Sequence, residues 1–293
     1  MESIIKRVKN VIEEALAINH ISDYTYTVNR YKDVFGYIPD LNNPRTFNEK
    51  LNWRKLYDRK KIHKTFADKV LSKKYVSKVY GKDIIPEVIQ ISQNVKRINK
   101  SLLPKSFIIK ATHGSGWNKI VFNKEEANWS EVSDYFSPIL KQSYYELGRE
   151  WCYKGLKPRL IIEELLLDQQ GKLPLDYKFF CFNGKVKFVQ VDYDRFGEHT
   201  RNLYDRRLNQ LACSYLYPNC KKDMQSPSNY EEMVKVAEKI SAGLDFIRVD
   251  LFNVSGKIYF GELTNYPENG YGIFTPKEYD LKFGSYWKID DKK

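Results

Sequence analysis

Apolar residues recur along this chain at two spacings, and the change from one to the other divides it. Over residues 1–20, Ile4, Ile5, Val8, Val11, Ile12, Ala15 and Leu16 fall at steps of three and four between Lys and Glu, which predicts an amphipathic helix. It reads as a helix docked on the body, with a membrane-surface helix as the alternative. From Asn42, NNPRTFNEKLNWRKLYD predicts a turn at Pro44 and a helix entered near Asn43 or Thr46. Helical character continues through 62–80, with Phe66, Val70, Tyr75 and Val79 on one stripe and Gly81 as its stop. That places Lys69 on or beside a helix.

After Gly81 the period shortens toward two. IIPEVIQIS and SFIIKATHGSGWNKIVFN predict strands, the second a hairpin over a glycine loop. Residues 128–147 read as a helix, and PRLIIEELLL as a buried strand. DYKFFCFNGKVKFVQVDYDRF predicts two strands about Asn183-Gly184. A helix over 229–242 has Asn229 as cap and Gly243 as stop, and DFIRVDLFNVSGKIYFGELTN is a last hairpin. Helices first and antiparallel strands afterwards predict an α+β fold.

Composition narrows the function classes. The 293 residues hold 49 basic and 37 acidic side chains, a net charge of +12 that attracts anions without saying which. No run of about 18 apolar residues exists and the start is charged throughout, so neither a membrane span nor a secretory signal is expected, and a cytoplasmic location is. Cys152, Cys181, Cys213 and Cys220 form no CxxC pair and read as free thiols. The chain holds 22 Tyr and 16 Phe, but these fall on core stripes and the basic residues are spread, so nucleic acid is not the expected partner.

Candidate chemistry lies in three places. Along RVDL, strand alternation sends Arg248 and Asp250 to one face. A three-residue loop over Val254-Ser255-Gly256 would set Glu262 opposite Arg248 and diagonal to Asp250, whereas a two-residue loop without a bulge would send Glu262 to the other side. Two converging carboxylates suit magnesium held together with phosphates, and the plain alternative is a salt bridge from Arg248 to both acids. Lys110 closes an apolar strand before His113-Gly114-Ser115-Gly116, a loop whose N–H groups can cradle phosphate, although a simple turn explains the glycines equally. In IIEELLLD, Glu163 and Glu164 interrupt a buried run, and Asp176 and Lys178 share a face of the next strand.

Taken in order, NPRTFNEKLNWRKLYDR, ADKVLSKKYV, FIIKATHGSGWNKIV, KPRLIIEELL, LDYKFFCFNGKVKFVQVDYDR and FIRVDLFNVSGKIYFGELT resemble the TupA-like branch of the ATP-grasp superfamily over residues 30–285. The resemblance implies ATP held between a small lid subdomain and a C-terminal antiparallel-sheet subdomain. The corresponding division is a helical region 1–60, a lysine-bearing helix and lid over 61–164, and a C-terminal unit over 165–293. Residue by residue, it implies that Lys69 and Lys110 hold phosphates and that Gly114, Ser115, Gly116 and Trp117 close over them. Glu163, Glu164 and Leu166 would contact adenine, with Asp176 or Lys178 near ribose and phosphates. Asp250 and Glu262 would bind Mg2+, and Arg248 would assist an acyl phosphate. Many members carry Glu-x-Asn on the second metal strand, but here Glu262-Leu263-Thr264 puts Asn265 one place late.

The activity so implied is ADP-forming carboxylate–amine ligation in bacterial surface-polysaccharide synthesis, with a uronic acid or related carboxylate joined to an amine or amino acid. Arg195, His199 and Arg201 in DRFGEHTR are candidates for binding the acceptor's carboxylate or sugar phosphate. A sugar kinase using the same nucleotide site, and a nonenzymatic glycan-binding protein, are the competing readings.

Overall fold

The computed structural model describes residues 21–194, 197–222 and 224–289, so the amphipathic segment 1–20 and Arg195 lie outside the described residues. Helix α1 spans Asp23–Phe35 and α2 spans Phe47–Tyr57. The helix is entered at Thr46, one of the two expected positions, and Thr46 caps α2 in a reciprocal box with Glu49. The single helix expected over 62–80 is instead two, α3 (Ile62–Ala67) and α4 (Lys69–Val79). The break is at Asp68, whose carboxylate accepts the backbone N–H groups of Val70 and Leu71 and so starts a new helix. Lys69 therefore stands in the first turn of α4, and the buried stripe of that helix carries Val70, Lys73 and Val76.

Four antiparallel strands follow: β1 (Val88–Ser92), β2 (Phe107–Ala111), β3 (Asn118–Val121) and, after two helices, β4 (Leu160–Glu164), in the order β1-β4-β2-β3. The expected helix over 128–147 is split into α5 (Trp129–Ile139) and α6 (Tyr145–Gly148). Pro138 withholds one N–H in the last turn of α5, and the chain leaves the helix at Leu140. Val132, Phe136 and Ile139 of α5 pack on Phe107, Ile109, Leu160 and Ile162 of the sheet.

The second sheet comprises β5 (Asp176–Phe182), β6 (Lys185–Tyr193) and β7 (Thr200–Asp205). After β8 (Ser214–Tyr215) and helix α7 (Tyr230–Ile240), it is completed by β9 (Phe246–Val254) and β10 (Lys257–Thr264), in the order β10-β9-β5-β6-β7. A short β11 (Phe274–Thr275) pairs with β8, and helix α8 (Glu278–Ser285) ends the described chain. Asn183 and Gly184 turn the first hairpin with φ of 49° and 71°, the left-handed pair a two-residue hairpin requires. Asn229 precedes α7 as expected, but its side chain donates to Gly256 O instead of capping.

The last hairpin departs from the expected three-residue loop. Ser255 and Gly256 form a two-residue turn with φ of 51° and 85°, pairing Val254 with Lys257. A bulge between Phe260 and Glu262 then restores the parity that such a turn would lose. Glu262 pairs directly with Asp250, and Thr264 with Arg248.

Alternation gives the second sheet two unlike faces. Phe179, Val189, Val191, Val249 and Leu251 bury against Met233, Val234 and Ala237 of α7. On the opposite face, Phe180, Phe182, Phe188 and Phe246 pack with Phe47, Phe283 and Trp287. Farther along that same face stand Lys178, Asp176, Gln190, Asp192, Arg248 and Asp250, all buried. Among the described residues, no helix is long and apolar enough to cross a membrane, and the four cysteines are buried and free.

Candidate active site

A cavity of about 830 Å³ separates the two sheets, and both line it. On the four-stranded side, β2 pairs Ile108 with Ile120 and then Lys110 with Asn118, so the wall passes from apolar to cationic toward the glycine loop. Pro86, Phe122, Leu166 and Leu175 add to the apolar lining. On the five-stranded side the lining includes Asp176, Asp192, Asp250, Phe252 and Glu262.

The expected lysines converge. Lys69 and Lys110 both reach the cavity, and Lys69 Nζ donates to Gly114 O at 2.5 Å. Burial pulls the Lys69 ammonium below its usual range, and the charge of Lys110 adds to that effect. Ser115, Gly116 and Trp117 line the cavity, whereas Gly114 lies behind them. A side chain at Gly114 would meet Trp117 and Tyr144 at 2.5 and 2.7 Å, so close packing, in addition to any turn, demands glycine here. The Trp117 ring packs edge-on against Tyr144, which in turn meets Tyr153 with its ring tilted.

Glu163 does not present its side chain as an adenine contact. Its carboxylate lies between Lys110, at 2.8 Å, and Lys73, at 3.0 Å. Burial opposes ionisation of Glu163, yet the two lysines prevail and hold its carboxyl down at about 2. Glu164 accepts from the Glu87 backbone N–H at 2.8 Å, which ties the end of β4 to the approach to β1, while Leu166 lines the cavity as expected. Sequence reasoning missed Lys73. Its signal was the four-residue step from Lys69 on one helix, which places both on one face.

On the opposite wall, Lys178 pairs with Asp176, as the shared strand face implied. It also lies 3.0 Å from Asp192 and 4.0 Å from Asp250, so it serves as the common counter-ion of three carboxylates. Arg248 bonds both oxygens of Asp250 at 2.7 Å and reaches Glu262 at 3.0 Å. The salt bridge weighed at the sequence level is thus present, but buried and facing a cavity. Burial pushes the Asp250 carboxyl up, while Arg248 and Lys178 pull it back toward ionisation. Asp250 and Glu262 are two hard oxygen donors side by side, a set that fits Mg2+ completed by phosphate oxygens and water. Thr264 donates to Glu262 Oε1 at 3.2 Å. Asn265 is committed elsewhere, with both ends of its amide bonded to His63 at 2.9 Å. Among the described residues no cluster of three or more His, Cys, Asp or Glu has metal-binding geometry.

Arg201 belongs to strand β7, not to a loop. It is buried and bonds Asp192 at 2.5 Å and Glu268 at 2.8 Å, so it holds the wall in place. His199 lies 3.2 Å from Asp192 and against the ring of Tyr217.

Comparison with solved structures returns proteins titled as ligases. A D-alanine–D-alanine ligase from Bacillus anthracis is 18% identical over 68% of this chain and 56% of its own, with a TM-score of 0.42. A phosphoribosylamine–glycine ligase from Thermotoga maritima is 17% identical over 72% of this chain and 51% of its own, at 0.45. A D-alanine–D-alanine ligase from Helicobacter pylori is 15% identical over 75% and 56%, at 0.43. This chain spans little more than half the length of these structures. No curated protein matches its sequence. The TupA-like ATPgrasp family model matches residues 49–288, a span that takes in both sheets, the glycine loop and the Asp250/Glu262 hairpin. The chain belongs to the TupA-like ATP-grasp family and has the ATP-grasp fold.

Proposed function

We propose that this protein is an ADP-forming carboxylate–amine ligase that uses Mg-ATP. The observation that carries this reading is the facing of Lys69 and Lys110 by Asp250 and Glu262 across one cavity. The apolar stretch at Ile108, Phe122 and Leu166 suits a purine, and the lysine end suits its phosphates. Residues 61–164 then act as the lid and 165–293 as the base. Mg2+, held by Asp250 and Glu262, would supply neutralisation of phosphate charge.

The chain's own groups do the rest by position and charge. Lys69 and Lys110 orient the terminal phosphate for attack by a carboxylate oxygen, which forms the acyl phosphate as the bond to the β-phosphate oxygen breaks and ADP leaves. Arg248, fixed by Asp250, offers its charge to the acyl phosphate, from which an amine displaces phosphate. Trp117 and the glycine loop, seated on Tyr144, keep water from that intermediate. We further propose a uronic acid or similar sugar carboxylate as acceptor, in surface-polysaccharide synthesis, with His199 at the rim of its site.

A thermal-shift titration with Mg-ATP tests the site. Nucleotide at 100 times Kd should stabilise by about 2.7 kcal/mol and raise Tm by about 5–10 °C. Lys110→Ala should abolish the rise. No shift in the native protein would sink the reading, and label from γ-phosphate appearing on a sugar, instead of as free phosphate, would make the enzyme a kinase.

A further inference from the structure

The two lysines at the cavity are backed by a third that does not reach it. Lys73 follows Lys69 by one helical turn on α4, is buried, and is absent from the cavity lining. The Glu163 carboxylate is divided between its neighbours, with Oε2 2.8 Å from Lys110 Nζ and Oε1 3.0 Å from Lys73 Nζ. Side-chain exposure falls from 22% at Lys110 to 8% at Lys73 and 1% at Glu163, so Lys110 is the most open of the three. Lys73 Nζ also stands 5.6 Å from the ring of Phe260, on the five-stranded sheet.

The charge arithmetic of this trio has a consequence for anything bound beside it. One buried carboxylate facing one lysine is a neutral pair, with little pull on a polyphosphate. Two lysines around the same carboxylate leave one net positive charge, and the exposure gradient places it on Lys110. We propose that Lys73 is a positioning residue: it satisfies the buried Glu163, so that Glu163 fixes the place of Lys110 without cancelling its charge toward a nucleotide's phosphates. The low ionisation range of Glu163 agrees, because the carboxylate stays charged at working pH. This inference deepens the nucleotide reading above and rests on it.

The test is calorimetric titration of Mg-ADP into the full chain and five variants. Lys73→Met should weaken binding at least ~10-fold, since the trio becomes neutral, while Lys73→Arg stays near the native affinity. Lys74→Met, which removes the same charge from the exposed neighbouring position, should change it by less than ~2-fold. Glu163→Gln alone should bind at least as tightly as the native chain. Lys73→Met with Glu163→Gln restores one net charge at Lys110 and should recover affinity to within ~3-fold of native. A double variant no tighter than Lys73→Met, or equal losses in Lys73→Met and Lys74→Met, overturns the proposal. Should Lys73→Met fail to fold, the double variant, which buries no lone carboxylate, decides alone: near-native affinity supports the proposal, and a loss of ~10-fold or more refutes it. A native chain that binds no Mg-ADP refutes the nucleotide reading itself.

Discussion

One face of the five-stranded sheet has two ends built from the same strands. At one end Phe180, Phe182, Phe188 and Phe246 stack into a core closed by α2 and α8. At the other, Lys178, Asp176, Asp192, Arg248 and Asp250 occupy equivalent pleat positions, and the three aspartates meet a cavity instead of a helix. The backbone does not distinguish the ends; what covers them does. An aromatic end gains from exclusion of water and holds a charge only as a pair, as Arg54 is held by Asp245 beside the Phe246 and Trp287 rings. A polar end survives burial only because each charge has a partner, and the residual field of those pairs is what a ligand meets.

The contrast sharpens when two buried carboxylates are set side by side. Glu163, between two lysines, is held down at about 2. Glu150 is also buried, but there burial outweighs the charges of Lys55 and Arg30 and pushes it up to about 8. Burial is common to both, and the closeness of the counter-charge sets the direction.

Glu262→Gln should break the comparison most severely. It keeps the bulge and the packing but takes the second carboxylate from beside Asp250. ADP release should fall by ~100-fold or more, and nucleotide affinity should lose its dependence on Mg2+, both measurable in a folded variant. Phe182→Ala strikes the apolar end and should cost ~3–5 kcal/mol in chemical denaturation, while leaving Mg-ADP affinity unchanged in the protein that remains folded. Affinity falling in step with stability would show that the two ends are coupled.

Glu150→Gln carries a smaller, pH-dependent effect. Between the unfolded value near 4.5 and the folded value of about 8, the native state keeps a proton that the unfolded chain has released. The contribution of Glu150 to stability is therefore intact below that window and declines as pH rises through it. The glutamine variant should match the native chain at pH 4.5 and exceed it by ~3 kcal/mol at pH 7, read from Tm across pH. Equal Tm at both ends of the range would show that Glu150 titrates normally.

Local chemistry was readable from the sequence wherever a few neighbouring residues decide the outcome. The helix entry at Thr46, the Asn183-Gly184 turn and the strand alternation that lines up Arg248 with Asp250 depend only on nearby atoms, and the structure contains all three. Ordered phrases identified the family and pointed to Lys69, Lys110, Asp250 and Glu262, which the fold brings to the lining of one cavity. The position of Glu262 depended on a bulge, however, and a one-residue insertion leaves no signature in a run such as IYFGELT. Tertiary packing likewise decided that Glu163 faces two lysines, that Arg201 is a buried strut, and that Asn265 turns to His63 instead of toward Asp250 and Glu262. Each of these is a long-range choice of partner by a buried polar group. A side chain's own sequence neighbours state that it will need a partner, and only the folded chain determines which one is within reach.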